Sequence, residues 1–122
     1  MVSSATNFSR SGLSDWIAQR ASAVILLAYT LFLFGFLLIS PELNYEAWAA
    51  LFDNTAVKLF SLLTVLALCA HAWIGMWTIA TDYLTAAHLG NAATFIRIAF
   101  QFGCALLVLI YLLWGIQIFW GI

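Results

Sequence analysis

A single histidine, His71, lies in the middle of a long apolar stretch of this 122-residue chain. An ionisable side chain at that depth is costly in lipid, so its presence indicates a function. Helical steps of three and four residues from His71 reach small or polar residues on one narrow face. They are Thr64, Ala67, Gly75, Thr78 and Asp82. We predict that this face binds a cofactor, with Gly75 leaving space beside the imidazole.

Axial ligation of haem iron is the chemistry that best suits an isolated intramembrane histidine, because a neutral imidazole nitrogen donates to the metal. The chain offers no second convincing ligand, since His88 lies outside the apolar core and Met76 lies on another helix face. A sixth ligand would therefore come from a partner. A structural His71, hydrogen-bonded within the bundle, is the alternative. Arg20 lies at the level where a guanidinium could pair with a haem propionate, or it serves only as a charged anchor.

Two adjacent polar residues, Asp82 and Tyr83, end the same apolar stretch. A phenol donates a hydrogen bond to a carbonyl oxygen, and a neighbouring carboxylate orients the phenol or passes a proton. From the residues alone, Tyr83 is interpreted first as an ordinary interfacial aromatic residue. A carboxylate near the negative end of a helix dipole is unfavourable, which favours a functional role for Asp82.

The composition identifies an integral membrane protein. Hydrophobic residues make up 66% of the chain and charged residues 7%, with a mean hydropathy of +1.05. Such values exclude a soluble domain of this length. The charge-poor runs predict an all-α fold in one domain, 1–122, with transmembrane helices at about 16–39, 58–81 and 97–120. Trp48, in the acidic loop between the first two, is expected at the headgroup level or in a short interfacial helix.

Two classes of function are excluded by charge and cysteine content. The net charge of −1 and the four Lys and Arg residues provide no basic patch for nucleic acid. Cys69 and Cys104 share no Cys-x-x-Cys spacing and are too few to hold an iron–sulfur cluster alone. We interpret both as small buried hydrophobic residues.

The basic residues predict the orientation in the membrane. Arg10, Arg20 and Arg97 lie on one side of the predicted spans, and Lys58 lies on the other. The positive-inside rule then places the amino terminus in the cytoplasm. His71 would lie eleven residues deeper than Asp82, which is about 16 Å at the helical rise.

A partner protein is expected, because the polar face around His71 would otherwise contact lipid tails. Ala99 and Gly103 form a small-x-x-x-small pair in the third span. Small residues at this spacing let a second helix approach closely. We therefore predict a heteromeric helix bundle.

The chain resembles the hydrophobic membrane-anchor subunits of bacterial succinate dehydrogenase. The resemblance is carried by the run His71-Ala-Trp-Ile-Gly-Met-Trp, by Asp82-Tyr83, by Arg20 at the start of the first span and by the three-span layout. It implies a four-subunit succinate:quinone oxidoreductase, respiratory complex II, in the bacterial inner membrane. A flavoprotein and an iron–sulfur protein would dock on the cytoplasmic side of this chain and a sister membrane-anchor subunit.

The resemblance also implies roles for single residues. His71 would be one of two axial ligands of haem b, with the second histidine from the sister anchor. Tyr83 would hydrogen-bond a carbonyl oxygen of ubiquinone, and Asp82 would belong to the same site. The chain would have no catalytic residue for succinate. A haem-free membrane tether or assembly subunit is the alternative function, and a b-type anchor of another respiratory dehydrogenase, which would normally supply more histidines, ranks lower.

Overall fold

The computed structural model describes residues 12–121, and these form five α-helices with no strand. The helices are α1 (Gly12–Leu38), α2 (Tyr45–Asp53), α3 (Thr55–Tyr83), α4 (Ala86–Leu89) and α5 (Ala93–Trp120), with a 3₁₀ turn at Gly90–Ala92. Three segments are long and apolar enough to cross a membrane: α1, α3 and the run Ala86–Trp120. The predicted all-α fold of three membrane-spanning helices is therefore confirmed.

Short polar or conformationally restricted residues set the helix ends. Asn44 caps α2 by accepting a hydrogen bond from the Ala47 N–H at 2.8 Å, and Asn54 caps α3 by accepting from the N–H groups of Ala56 and Val57. Pro41, which has no N–H to donate, follows the end of α1. These residues end the helices at defined positions, so the chain forms long antiparallel helices joined by short loops.

The helix α3 lies in the middle of the molecule. It packs along α1 on one side and along α5 on the other, whereas α1 and α5 have no comparable contact with each other. Near the end that carries α2, ring contacts connect Phe36 of α1 through Trp48 and Phe52 to Phe119 of α5. A short helix around Trp48, one of the two expectations for this loop, is thus present as α2.

The helices pack through small side chains rather than large ones. The buried residues of the described chain are Ser22, Ser61, Thr64, Ala67, Ala80 and Ala93. Hydroxyl groups connect α1 to α3, since the phenol of Tyr29 hydrogen-bonds Ser61 and Ser22 hydrogen-bonds His71. Small residues allow close backbone approach in a membrane, where Leu gains nothing by leaving lipid for protein. Most large apolar side chains therefore point outward.

Other local features differ from what the sequence suggests. Ser14, a residue type that favours N-caps, lies inside α1 because that helix already includes Gly12. Each long helix begins about a turn before its predicted span. Cys69 and Cys104 are half-buried rather than buried, because both line an open groove between α3 and α5. Arg10, used for the orientation, lies outside the described residues.

Candidate functional site in the seam between α1 and α3

His71 lies on the side of α3 that faces α1. Its Nδ1 atom is 3.0 Å from the hydroxyl oxygen of Ser22, which is 4% exposed. The same hydroxyl donates to the backbone oxygen of Gln19, also at 3.0 Å. None of the described residues hydrogen-bonds the Nε2 atom of His71, whose side chain is only half-buried. One imidazole nitrogen is therefore held across the helix pair, and the other has no partner within residues 12–121.

The space beside Gly75 is not empty, contrary to the expectation from the sequence. A Cβ atom placed on Gly75 would lie 3.6 Å from Nε2 of Gln19, which is ordinary van der Waals contact. The amide of Gln19 therefore covers this glycine from α1. Its oxygen, Oε1, is buried and has no hydrogen-bond partner among the described residues.

The predicted polar face of α3 is divided into two parts. Thr64 and Ala67 are buried, and His71 and Gly75 are half-buried, whereas Thr78 and Asp82 are exposed. The first four lie where α1 packs, and the last two lie past the contacts with Gln19 and Ser22. Within this chain, α1 therefore covers the part of the face from Thr64 to Gly75 and leaves Thr78 and Asp82 open.

Ser22 and Gln19 were not identified from the sequence. They are two of the few polar residues in a helix that has to cross lipid, and such residues usually face the bundle interior. Their spacing of three puts them on one side of α1. Two polar residues on one face of an apolar helix therefore indicate a contact with another helix, but they do not indicate which residue of α3 is contacted.

Arg20 lies between the levels of His71 and Gly75, because its neighbours Ser22 and Gln19 contact that part of α3. Its guanidinium carbon lies 5.5 Å from the ring centroid of Trp16, one turn earlier in α1. The exposed side chain thus extends toward the amino-terminal end of the helix, stabilised by a cation–π contact. Both roles considered for Arg20, propionate partner and charged anchor, are compatible with this geometry.

Asp82 and Tyr83 are the last residues before α3 ends, and both are exposed. Tyr83 is 63% exposed. Neither side chain forms a hydrogen bond or an ion pair with any residue in the described range, so both are available to a ligand. They lie seven and eight residues beyond Gly75, or roughly 10 Å further along the helix.

His88 lies apart from these groups. It belongs to the short helix α4, is exposed, and has its Nδ1 atom 2.9 Å from the hydroxyl of Thr85. Within residues 12–121, no three His, Cys, Asp or Glu side chains come together to hold a metal ion. Among the described residues, His71 would therefore be the single ligand to any metal bound at this position.

The opposite side of α3 forms an apolar groove with α5. It encloses about 530 Å³ and is lined by residues that include Leu68, Cys69, Met76 and Cys104. The thiol of Cys69 lies 3.9 Å from the backbone oxygen of Val108. Met76 thus lies on the α5 side of the helix while His71 contacts α1.

Comparison with known proteins identifies the family. A family model described as succinate dehydrogenase/fumarate reductase transmembrane subunit matches residues 3–112. The chain belongs to this family. The succinate dehydrogenase hydrophobic membrane anchor subunit of Coxiella burnetii is 38% identical over 112 residues, which are 92% of this chain and 91% of that protein. The resemblance noted in the sequence is thus confirmed along most of the chain.

Membership in the succinate dehydrogenase and fumarate reductase transmembrane family gives the site its context. The chain is a membrane anchor of the succinate dehydrogenase type, and it acts as part of a complex with other subunits in a membrane. His71 and the pair Asp82 and Tyr83 both lie on α3, the helix that contacts both other long helices.

Proposed function

We propose that this chain is the anchor subunit of a succinate:ubiquinone oxidoreductase and that it holds haem b through His71 and ubiquinone through Tyr83 and Asp82. The observation that carries the haem part is the asymmetry of the imidazole: Nδ1 is held by Ser22 and Nε2 has no partner among the described residues. Histidine ligands of metals almost always donate the N–H of their second ring nitrogen to a carboxylate, a backbone carbonyl or water. In His71 that nitrogen lies at hydrogen-bonding distance from the Ser22 hydroxyl, which could take the acceptor role.

The surroundings of His71 suit a haem in two respects: the imidazole nitrogen could bind the iron, and a nearby positive charge could pair with a propionate. Arg20 of α1 lies at nearly the same depth in the bundle as His71 of α3, within about one helical turn. Its guanidinium would pair with a haem propionate on the side toward Trp16. The second axial histidine would come from the sister membrane anchor. When bound, the haem would accept and return single electrons close to the quinone. His71 would hold its position and Arg20 would balance its charge.

Tyr83 and Asp82 would act at the membrane surface. The exposed phenol of Tyr83 would donate a hydrogen bond to a quinone carbonyl oxygen. Asp82, the preceding residue, would orient the phenol or transfer a proton that arrives from water. The iron–sulfur subunit, with the flavoprotein beyond it, would dock at this cytoplasmic end of α3, because electrons from a soluble donor have to reach the quinone there.

The test uses the complete complex purified through a tag on this chain, with haem measured by a reduced-minus-oxidised spectrum. His71→Ala is expected to remove the b-type absorbance or change its axial ligation, while the other subunits still co-purify. Full haem content with unchanged ligation in this variant would contradict the haem assignment.

Quinone reduction is tested separately. Tyr83→Phe removes only the hydroxyl and is expected to lower the rate of succinate-driven quinone reduction at least about tenfold, with haem content unchanged. Tyr111→Phe is the matched control, because Tyr111 is similarly exposed, at 59%, but lies in α5. Equal rates for the two variants would remove Tyr83 from the quinone site.

A haem-free tether remains the second candidate, and one contact favours it. The hydrogen bond between Ser22 and His71 could serve only to join α1 to α3. A tether predicts that the b-type haem band is absent from the complex before any substitution is made. The unmodified complex therefore separates the two functions.

A further inference from the structure

We infer that Ser22 is a positioning residue for His71, whose proton it confines to Nδ1 so that Nε2 is the nitrogen left to bind a metal. This inference rests on the proposed function, because it concerns how the haem ligand is prepared. It assigns a role to a residue of α1, whereas the ligand itself lies on α3.

The assignment follows from counting protons. The hydroxyl oxygen of Ser22 lies 3.0 Å from the backbone oxygen of Gln19 and 3.0 Å from Nδ1 of His71. A hydroxyl group has one proton to donate, and a carbonyl oxygen can only accept. Both contacts can be hydrogen bonds at once only if the Ser22 proton goes to the Gln19 carbonyl and the Nδ1–H of His71 donates to the Ser22 oxygen.

The tautomer of His71 is then determined. A neutral imidazole carries one N–H group and one nitrogen with a free lone pair. With the proton on Nδ1, the lone pair is on Nε2, the atom that no described residue hydrogen-bonds. The opposite tautomer would protonate Nε2 and prevent it from binding iron, and it would leave the Ser22 proton shared between two acceptors.

The surroundings make this bond persistent. Ser22 is buried in the α1–α3 seam, so water competes poorly for its hydroxyl. Its bond to Gln19 lies within one turn of α1 and fixes the direction of its lone pairs toward α3. A hydrogen bond in such an environment of low dielectric is stronger than one in water.

A change in ligand strength is the expected consequence. An acceptor on Nδ1–H makes the imidazole a more basic ligand and fixes the orientation of its ring. A more basic ligand stabilises the oxidised iron more than the reduced iron. Loss of the Ser22 hydroxyl should therefore raise the midpoint potential of the haem, and it should shift the low-spin resonance, because the ring is free to turn.

The experiment compares three variants in the intact complex by potentiometric titration of the b-type band and by electron paramagnetic resonance. Ser22→Ala is expected to raise the midpoint potential and shift the largest g value. Ser22→Thr keeps the hydroxyl and should restore both toward the unmodified complex. Ser61→Ala is the matched control, because it also removes a buried hydroxyl that connects α1 to α3, through Tyr29, but does not contact His71.

The outcomes separate this inference from the proposed function. A potential and g values in Ser22→Ala equal to those of Ser61→Ala, while His71→Ala loses haem, would overturn the inference alone. Retention of unchanged haem in His71→Ala would overturn the proposed function and this inference with it. Loss of haem in Ser22→Ala, with haem retained in Ser22→Thr and Ser61→Ala, would support the positioning role.

Discussion

Gln19 is the least satisfied residue in the seam between α1 and α3. Its side-chain oxygen is buried without a hydrogen-bond partner in the described chain, and its amide nitrogen lies against the position of a Gly75 side chain. An unpaired buried polar group costs about 1–3 kcal/mol. Gln19 therefore fills the space over the glycine at an energetic cost that an apolar side chain of equal length would avoid.

We predict that Gln19→Met stabilises the complex. Methionine retains the length of glutamine and removes the unpaired oxygen, so about 1 kcal/mol or more should be recovered. The measurement is the thermal denaturation midpoint of the purified complex, which should rise. Gln19→Glu, which buries a charge at the same place, should lower it. A lower midpoint in the methionine variant would mean that the amide has a partner in the assembled complex.

Arg20 provides a second prediction for a single residue. Arg20→Gln removes the cation near the level of His71 and should weaken haem retention on dilution in detergent, because a propionate would lose its partner. Arg20→Lys keeps the charge and should retain more haem than the glutamine variant, although it loses the two-pronged geometry of a guanidinium. Equal haem retention in both variants and in the unmodified complex would leave Arg20 as a charged anchor.

The contact between α3 and α5 depends on the absence of a side chain at one point. A Cβ atom on Gly115 would lie 3.4 and 3.5 Å from the two methyl groups of Val65. This contact lies beside the groove lined by Cys69 and Cys104. The two helices can therefore approach closely here and separate toward the groove.

We predict a graded response at Gly115. Gly115→Ala should be tolerated, because the added methyl group reaches only van der Waals contact with Val65. Gly115→Leu should force α5 away from α3 and destabilise the chain by about 1–3 kcal/mol, as overpacking does elsewhere. Thermal denaturation of the complex measures both. A leucine variant as stable as the alanine variant would show that α5 can shift away from α3 with no loss of stability.

The helices themselves were largely predictable from the sequence, but their pairing was not. Runs without charge and the polar residues at their ends place three long helices, and Pro41 marks the end of the first. The meeting of Ser22 with His71 depends on how two antiparallel helices slide and rotate against each other. The periodic pattern of one helix does not specify its position against a second helix. The contact of Ser22 with His71 and the contact of Gln19 with Gly75 could therefore not be predicted from the sequence.

The position of Asp82 and Tyr83 at the end of α3 could be predicted from the sequence, because it depends only on one helix. Asp82 and Tyr83 had to lie where the apolar stretch stops, and the structure leaves both without partners in the described chain. His71 depended on a second helix, so only its depth, and not its neighbours, could be predicted from the sequence.

The described residues expose most of their large apolar side chains. Only three hydrophobic residues of this range, all alanines, are buried, whereas residues as large as Phe95, Phe102 and Trp114 are exposed. Lipid can cover such side chains, but part of this surface is expected to contact a sister anchor. Gly103 lies on this surface, since a Cβ atom there would have nothing within 4 Å.

We predict that Gly103→Leu weakens assembly without disturbing the fold of this chain. The space around Gly103 accommodates the new side chain within the molecule, but a partner helix packed on Ala99 and Gly103 would be pushed away. The measurement is the amount of the second membrane anchor that co-purifies, which should fall. Ala105→Leu, on a different face of α5, is the control. Equal recovery from both variants would exclude this face as the contact.

The position of the Ser22–His71 bond has a consequence for biosynthesis. It joins the first and second long helices, and both of its residues precede α5 in the chain, so they are synthesised first. If His71 binds haem as we propose, its ring could be oriented before α5 is in place.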